Sequence, residues 1–84
     1  MGKKNIAWTD RARSDLRSIA QPAALRILHA LARYVASGEG DLKQLEDIDP
    51  PELRLRVGDY RVRFYDSGDS ILVLAVKHRR EAYR

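Results

Sequence analysis

From Leu53 to Tyr65 the chain reads Leu53-Arg54-Leu55-Arg56-Val57-Gly58-Asp59-Tyr60-Arg61-Val62-Arg63-Phe64-Tyr65, with arginine at every second position on either side of Gly58-Asp59. A two-residue period of this kind is met by a β-hairpin with one apolar face and one charged face. If Gly58-Asp59 is a two-residue loop, with glycine first as a II′ turn prefers, Val57 pairs with Tyr60, Arg56 with Arg61 and Arg54 with Arg63. Opposed side chains in such pairs have Cβ atoms roughly 4.5 to 5.5 Å apart, where like charges destabilise a sheet. A face that gathers Arg54, Arg56, Arg61 and Arg63 in this way is built to meet an anion.

The rest of the chain supplies what such a hairpin needs to cover its apolar side. Asn5 to Trp8 reads as a first strand, and Thr9-Asp10 brings the oxygen side chains that cap a helix start. Ala12, Leu16, Ile19 and Ala20 then form one helical stripe. Pro22 restarts the chain at a first helical position, and Ala24, Ile27, Leu28, Leu31 and Val35 form a second stripe, with Arg26, His29 and Arg33 facing away and Gly38 or Gly40 ending the helix. Asp41 to Pro51 is acidic and closes with a proline pair, which predicts a loop with one short turn around Leu42 and Leu45. Beyond the turn Ser67-Gly68-Asp69, the apolar run from Ile71 to Val76 predicts a central strand buried on both faces. The expectation is an α+β fold of order βααβββ, a helical hairpin packed on one face of an antiparallel four-stranded sheet. Its first strand lies antiparallel beside its last, with Trp8 and Tyr34 in or at the border of the core.

At 84 residues the chain has room for one domain, spanning residues 1–84. It has no cysteine, so disulfides and thiolate metal sites are excluded, which fits a reducing cytoplasm. No apolar run approaches the roughly 18 residues of a membrane span, and Met1-Gly2-Lys3-Lys4 is not followed by an apolar signal region. The expectation is a cytoplasmic protein that does not engage a membrane. Residues 1 to 53 hold eight Lys/Arg and eight Asp/Glu, whereas residues 54 to 84 hold eight Lys/Arg and four Asp/Glu. The net charge of +4 therefore arises in the hairpin and the tail behind it, a local field that draws nucleic acid, phosphate or an acidic protein.

Arginines on an edge strand also deter sheet-to-sheet aggregation, and this bland account suits Arg54 and Arg63 better than the Arg56 and Arg61 pair. Guanidinium forks bind phosphate through two hydrogen bonds and keep their charge in all cellular conditions, as holding a phosphorane requires. The tail Lys77-His78-Arg79-Arg80-Glu81-Ala82-Tyr83-Arg84 sets a histidine among cations, which favour neutral imidazole and make His78 a candidate acid or base. His29, on a polar helix face, reads as merely solvated. Tyr65 and Tyr83 are the aromatics placed to stack on unpaired bases. No Walker loop, dinucleotide fingerprint or metal-ligand spacing is present.

The segment Leu53 to Val62, followed after one strand by His78-Arg79-Arg80-Glu81-Ala82-Tyr83-Arg84, resembles the RelE/ParE toxin superfamily, its RelE branch in particular. The resemblance extends to Trp8-Thr9 through Leu16 and to Leu45. It implies a toxin of a type II toxin–antitoxin pair, neutralised by a small cognate antitoxin, monomeric when free, and acting as an endoribonuclease on mRNA in the ribosomal A site, with contacts to ribosomal RNA. It also implies that no metal or other cofactor takes part. In that chemistry the 2′-OH attacks the adjacent phosphate, giving a 2′,3′-cyclic phosphate and a 5′-OH.

Carried over by position, the resemblance assigns phosphate binding to Arg54 and Arg56; Arg63, Lys77 and Arg80 by their charge, and Tyr65 by its ring, complete the expected phosphate- or RNA-binding set beside them. The resemblance assigns the catalytic roles to Arg61, His78, Arg79 and Tyr83: Arg61 holding and stabilising the phosphate, His78 or Arg79 at the basic tail position given to proton transfer or leaving-group support, with His78 the preferred acid or base, and Tyr83 stacking on or orienting the nucleotide. Glu52 occupies a position where some relatives carry a lysine proposed as the general base, so Glu52 either takes that role or is structural. The chain ends one residue past Tyr83, which predicts no C-terminal helix. Two other readings accompany the nuclease: a ParE-like inhibitor of DNA gyrase without nuclease activity, and an inactive homologue that only binds its antitoxin.

Overall fold

The computed structural model describes residues 4–45 and 51–82. Along the chain run β1 (Asn5–Trp8), α1 (Asp10–Arg17), α2 (Gln21–Ser37), β2 (Asp41–Leu45), β3 (Glu52–Val57), β4 (Tyr60–Asp66), β5 (Ser70–His78) and α3 (Arg79–Ala82). The hairpin of β3 and β4 has the expected register, with Val57 opposite Tyr60, Arg56 opposite Arg61 and Arg54 opposite Arg63. Gly58 sits at φ 56°, and no described non-glycine residue has positive φ, the pattern of a II′ turn.

The sheet has five strands in the order β1-β5-β4-β3-β2, not four. The additional strand is β2, in the segment expected to be a loop; it runs antiparallel to β3, with Asp41 opposite Arg56 and Lys43 opposite Arg54. Residues 46–50 of that segment lie outside the described residues. This extra strand also changes the sense of the last one. The helical pair does return the chain antiparallel to β1, but the returning strand is β2, and three further reversals leave β5 parallel to β1. The sheet is therefore mixed. A single helical turn, α3, follows β5 where no C-terminal helix was expected.

Both helices cover one face. Ala12 of α1 and Ile27, Leu31 and Tyr34 of α2 pack against Leu55, Val62, Phe64, Ile71, Val73 and Val76. α2 has Pro22 in its first turn and ends at Gly38, whose φ of 77° supplies the left-handed cap. Its buried stripe is completed by Tyr34; Leu28, expected inside, points outward and is 39% exposed. α1 stops at Arg17, so Ile19 and Ala20 belong to the connection between the helices.

β5 carries a register shift opposite Arg63 and Phe64, whose partners are Ala75 and Val73, so Leu74 is the extra residue of a bulge. Ile71, Val73 and then Val76 face the helices, and Ala75 and Lys77 face the other way. Leu72 is 37% exposed on that open face, so the strand is not buried on both faces throughout. β1 accompanies β5 only as far as Val73. Past that point Thr9 Oγ1 donates to the Leu74 carbonyl at 3.1 Å, and Asp15 Oδ2 accepts from the Val76 N–H at 3.0 Å. Two side chains thus complete an edge that no strand covers.

Asp66, at the end of β4, accepts from Lys4 Nζ, the Tyr34 hydroxyl and the Gly68 N–H. It ties the chain before β1, α2 and the following turn to one carboxylate. Burial, reinforced by the bond to Asp66, pushes the Tyr34 hydroxyl up to about 12. No helix among the described residues is long and apolar enough to cross a membrane.

Thr9 Oγ1 has a second bond, accepting from the Ala12 N–H as the N-cap of α1. Thr9→Val keeps the shape and removes both bonds. We expect a loss of about 1–2 kcal/mol, read as a lower urea midpoint with an unchanged m-value.

Candidate nucleic-acid interface

Strand pairing sorts the open face into rows. One row crosses the sheet as Asp41, Arg56, Arg61 and Lys77, and the next as Lys43, Arg54, Arg63 and Ala75. In a third, the register pairs Leu45 with Glu52, Glu52 with Tyr65 and Tyr65 with Leu72. Four of the arginine-rich expectations are met here: Arg54, Arg56, Arg61 and Arg63 do share one face. Lys43 joins them without having been expected, because its segment read as a loop and its face depends on pairing with β3.

Not all these cations are available. Glu52 is 2% exposed and grips Arg63 through two hydrogen bonds, Nε to Oε2 and Nη2 to Oε1, each 2.8 Å. The bond to Arg63 holds the Glu52 carboxyl below the usual glutamate range, against the opposing effect of burial. A carboxylate so occupied is a poor proton acceptor, which assigns Glu52 the structural of its two readings. Arg63 is correspondingly a partner of Glu52, one place along from the phosphate-binding role expected of it. Lys77 Nζ, at the sheet edge, lies 4.0 Å from Asp15 Oδ1 and 3.8 Å from Glu81 Oε2.

The remaining group, Lys43, Arg54, Arg56 and Arg61, lines a concavity of about 270 Å³, with Asp41 as the one carboxylate among the described residues of its wall. Arg61 is 5% exposed, and its Nη1 donates to the carbonyls of Gly58 and Tyr60 at 2.9 and 3.0 Å. The turn thereby holds a guanidinium at the floor of the concavity. Arg54 Nε is buried and has no hydrogen-bond partner among the described residues. Arg56 is exposed and makes no ion pair among them. Three guanidinium groups and an ammonium around one hollow can receive a phosphate from several sides.

The tail is divided by the sheet. His78 stands opposite Tyr60, which faces the helices, and its ring meets the Tyr60 ring edge-on at 5.4 Å between centroids. With Asp15, Ser18 and Ile19 it lines a separate hollow beside α1. The structure therefore does not bring His78 together with Arg54, Arg56 and Arg61; the Leu74 bulge sets the phase that sends Lys77 to the arginine face and His78 to the other. Its Nδ1 accepts from the Arg80 N–H at 3.3 Å. Arg79 begins α3 with its N–H bonded to the Asp59 carbonyl and its Nε 3.8 Å from Asp59 Oδ1, so it is fixed to the same turn as Arg61. Arg80 is exposed, Tyr65 is half-buried beside Glu52, and Tyr83 lies outside the described residues.

Because the folded Glu52 carboxyl is depressed, its stabilising effect is full above the pKa of an unfolded glutamate, about 4.3, and is lost as pH falls through the lower folded value. Glu52→Gln should cost about 2 kcal/mol at pH 7, between the worth of exposed and fully buried pairs since Arg63 is half-exposed. Urea titrations across pH 7 to 3 check both points, and the variant should lose stability less steeply below about pH 5.

A family model described as the ParE toxin of type II toxin–antitoxin systems, parDE, matches residues 6–83. No curated protein matches the chain in sequence. Among solved structures, a chain of the RelB–RelE antitoxin–toxin complex from Methanococcus jannaschii superposes with a TM-score of 0.76 at 23% identity, covering 92% of this chain and 94% of that one. A chain of the archaeal RelE–RelB complex from Pyrococcus horikoshii OT3 gives 0.76 at 21%, covering 93% and 97%. One of the toxin–antitoxin complex RelBE2 from Mycobacterium tuberculosis gives 0.69 at 21%, covering 93% and 100%. At such identities the likeness concerns the fold, helices packed on one face of a sheet. With the family model spanning nearly the whole length, the chain belongs to the ParE toxin family of type II toxin–antitoxin systems, within the RelE/ParE superfamily.

Proposed function

We propose that this toxin is a metal-independent endoribonuclease that cuts mRNA in the ribosomal A site, and that its open sheet face is the phosphate-binding surface. The observation that carries this reading is the hollow lined by Lys43, Arg54, Arg56 and Arg61, with a buried Arg54 Nε that lacks an acceptor. Such a donor is satisfied by a phosphate oxygen. The tail His78-Arg79-Arg80-Glu81-Ala82-Tyr83 adds the resemblance to the RelE branch.

In this reaction the 2′-hydroxyl gives its proton to water, its oxygen bonds to phosphorus, charge builds on the phosphorane, and the bond to the 5′-oxygen breaks as that oxygen takes a proton from water. Arg61, held by the turn carbonyls and screened from water, offers a fixed charge to that state without reorganising. Arg54 and Arg56 align the phosphate for in-line attack. Arg79, bonded to the same turn, is the tail cation we assign to the leaving oxygen, and Tyr83 keeps the nucleotide-orienting role that the resemblance gives it. His78, on the other face, plays no part in proton transfer at this phosphate. Charge and alignment, with the ribosome holding the mRNA, carry the rate. The toxin acts in the cytoplasm and is neutralised by a cognate antitoxin, as the antitoxin-bound state of its structural neighbours suggests.

A second reading, inhibition of DNA gyrase without nuclease activity, is favoured by the match to the ParE family model. The two part in one experiment. Purified protein is added to a defined translation reaction and mRNA 5′ ends are mapped, beside a gyrase supercoiling assay. Cleavage at the A-site codon supports the nuclease; inhibited supercoiling with intact mRNA overturns it.

The site then makes its own demand. Arg56→Ala should lower cleavage about 100-fold while shifting stability by less than about 0.5 kcal/mol, because its side chain is exposed. His78→Ala should leave the single-turnover cleavage rate within about threefold, whereas a loss matching that of Arg56→Ala would restore the histidine to the mechanism.

A further inference from the structure

The rows of the open face differ in their free charge, and the difference gives the surface a direction. In the first row Asp41 stands at the β2 end, opposite Arg56, so a phosphate moving outward past Arg56 across the sheet meets a carboxylate. In the second row the β2 end is Lys43, opposite Arg54, and neither is neutralised by an ion pair among the described residues. Arg63, the next member of that row, is occupied by Glu52. Positive charge therefore passes along β3 from the Arg56–Arg61 pair to the Arg54–Lys43 pair, bounded by Asp41 in the first row and by the Glu52-bound Arg63 in the second.

We propose that Lys43 and Arg54 form a second phosphate seat, so that the face holds two successive phosphates of a single-stranded RNA whose backbone runs along β3. This rests on the reading of the open face as an RNA-binding surface and adds to it a residue and a path. Arg54 and Arg56 are two positions apart on an antiparallel strand, about 6.8 Å by strand rise, a separation of the order of that between neighbouring phosphates in a single strand. Arg54 Nε, buried and without an acceptor among the described residues, turns to the second phosphate, and the Lys43 ammonium closes over it from the neighbouring strand. Lysine suits that place: it is a flexible point charge at the rim, while the fixed forks lie deeper.

The test uses ligands that differ by one phosphate. A dinucleoside monophosphate and a trinucleoside diphosphate, both 2′-O-methylated so that neither can be cut, are titrated into the wild-type protein and Lys43→Ala at low salt, followed by NMR amide shifts. The wild type should bind the two-phosphate ligand about tenfold tighter than the one-phosphate ligand, and Lys43→Ala should erase most of that gap, weakening the two-phosphate ligand about fivefold more than the one-phosphate ligand. On a longer 2′-O-methyl oligonucleotide the variant should lower the slope of log K against log salt by about 0.7. Equal weakening of both ligands, or no change in either, overturns the second seat while leaving A-site cleavage by the wild type to stand. If the wild type binds neither ligand and cleaves no mRNA, the RNA reading itself falls.

Discussion

The turn at Gly58 governs this molecule more than any other local feature. A register fixed by a two-residue loop decides which side of the sheet every residue of β3 and β4 occupies, since a slip of one position exchanges the faces. In the register observed, Leu55, Val62 and Phe64 meet the helices, and the arginines gather on the side no helix covers. Core and charged face are two results of one choice.

That choice carries an electrostatic cost, and the structure offsets it selectively. The Glu52 fork neutralises Arg63 and bridges the two strands far from the turn, while near the turn Arg61 lies among backbone carbonyls. Between these two anchors Arg54 and Arg56 remain opposed to other cations. Full neutralisation of the face would have made a more stable sheet and a worse binding surface for an anion. A fold that spends Glu52 on the outer pair and leaves the inner group charged is consistent with the inner group having a ligand.

How much of this the sequence revealed depended on whether the deciding contacts were local. The hairpin, the Thr9 cap, Pro22 and Gly38 are set by neighbours within a few positions, and each is where its residue type predicts. β2 was hidden because Asp41-Leu42-Lys43-Gln44-Leu45 contains poor strand formers, and its extension comes from bonding to β3. Missing it cost three things together: the fifth strand, the parallel sense of β1 and β5, and Lys43 as a member of the site. The bulge at Leu74 was equally silent, since an unbroken apolar run shows no change of phase; without it the face of His78 could not be known. Glu52 was noticed, but its role turned on Arg63, eleven positions away and on another strand.

The parallel pairing of β1 with β5 joins residues 5–8 to residues 70–73, and β5 is flanked by strands on both sides. During synthesis the N-terminal strand and both helices emerge with no sheet to cover, because the strand on which they converge is made after β2, β3 and β4. A protein of this topology has no complete core until β5 is in place between β1 and β4, so its N-terminal and C-terminal halves are finished together.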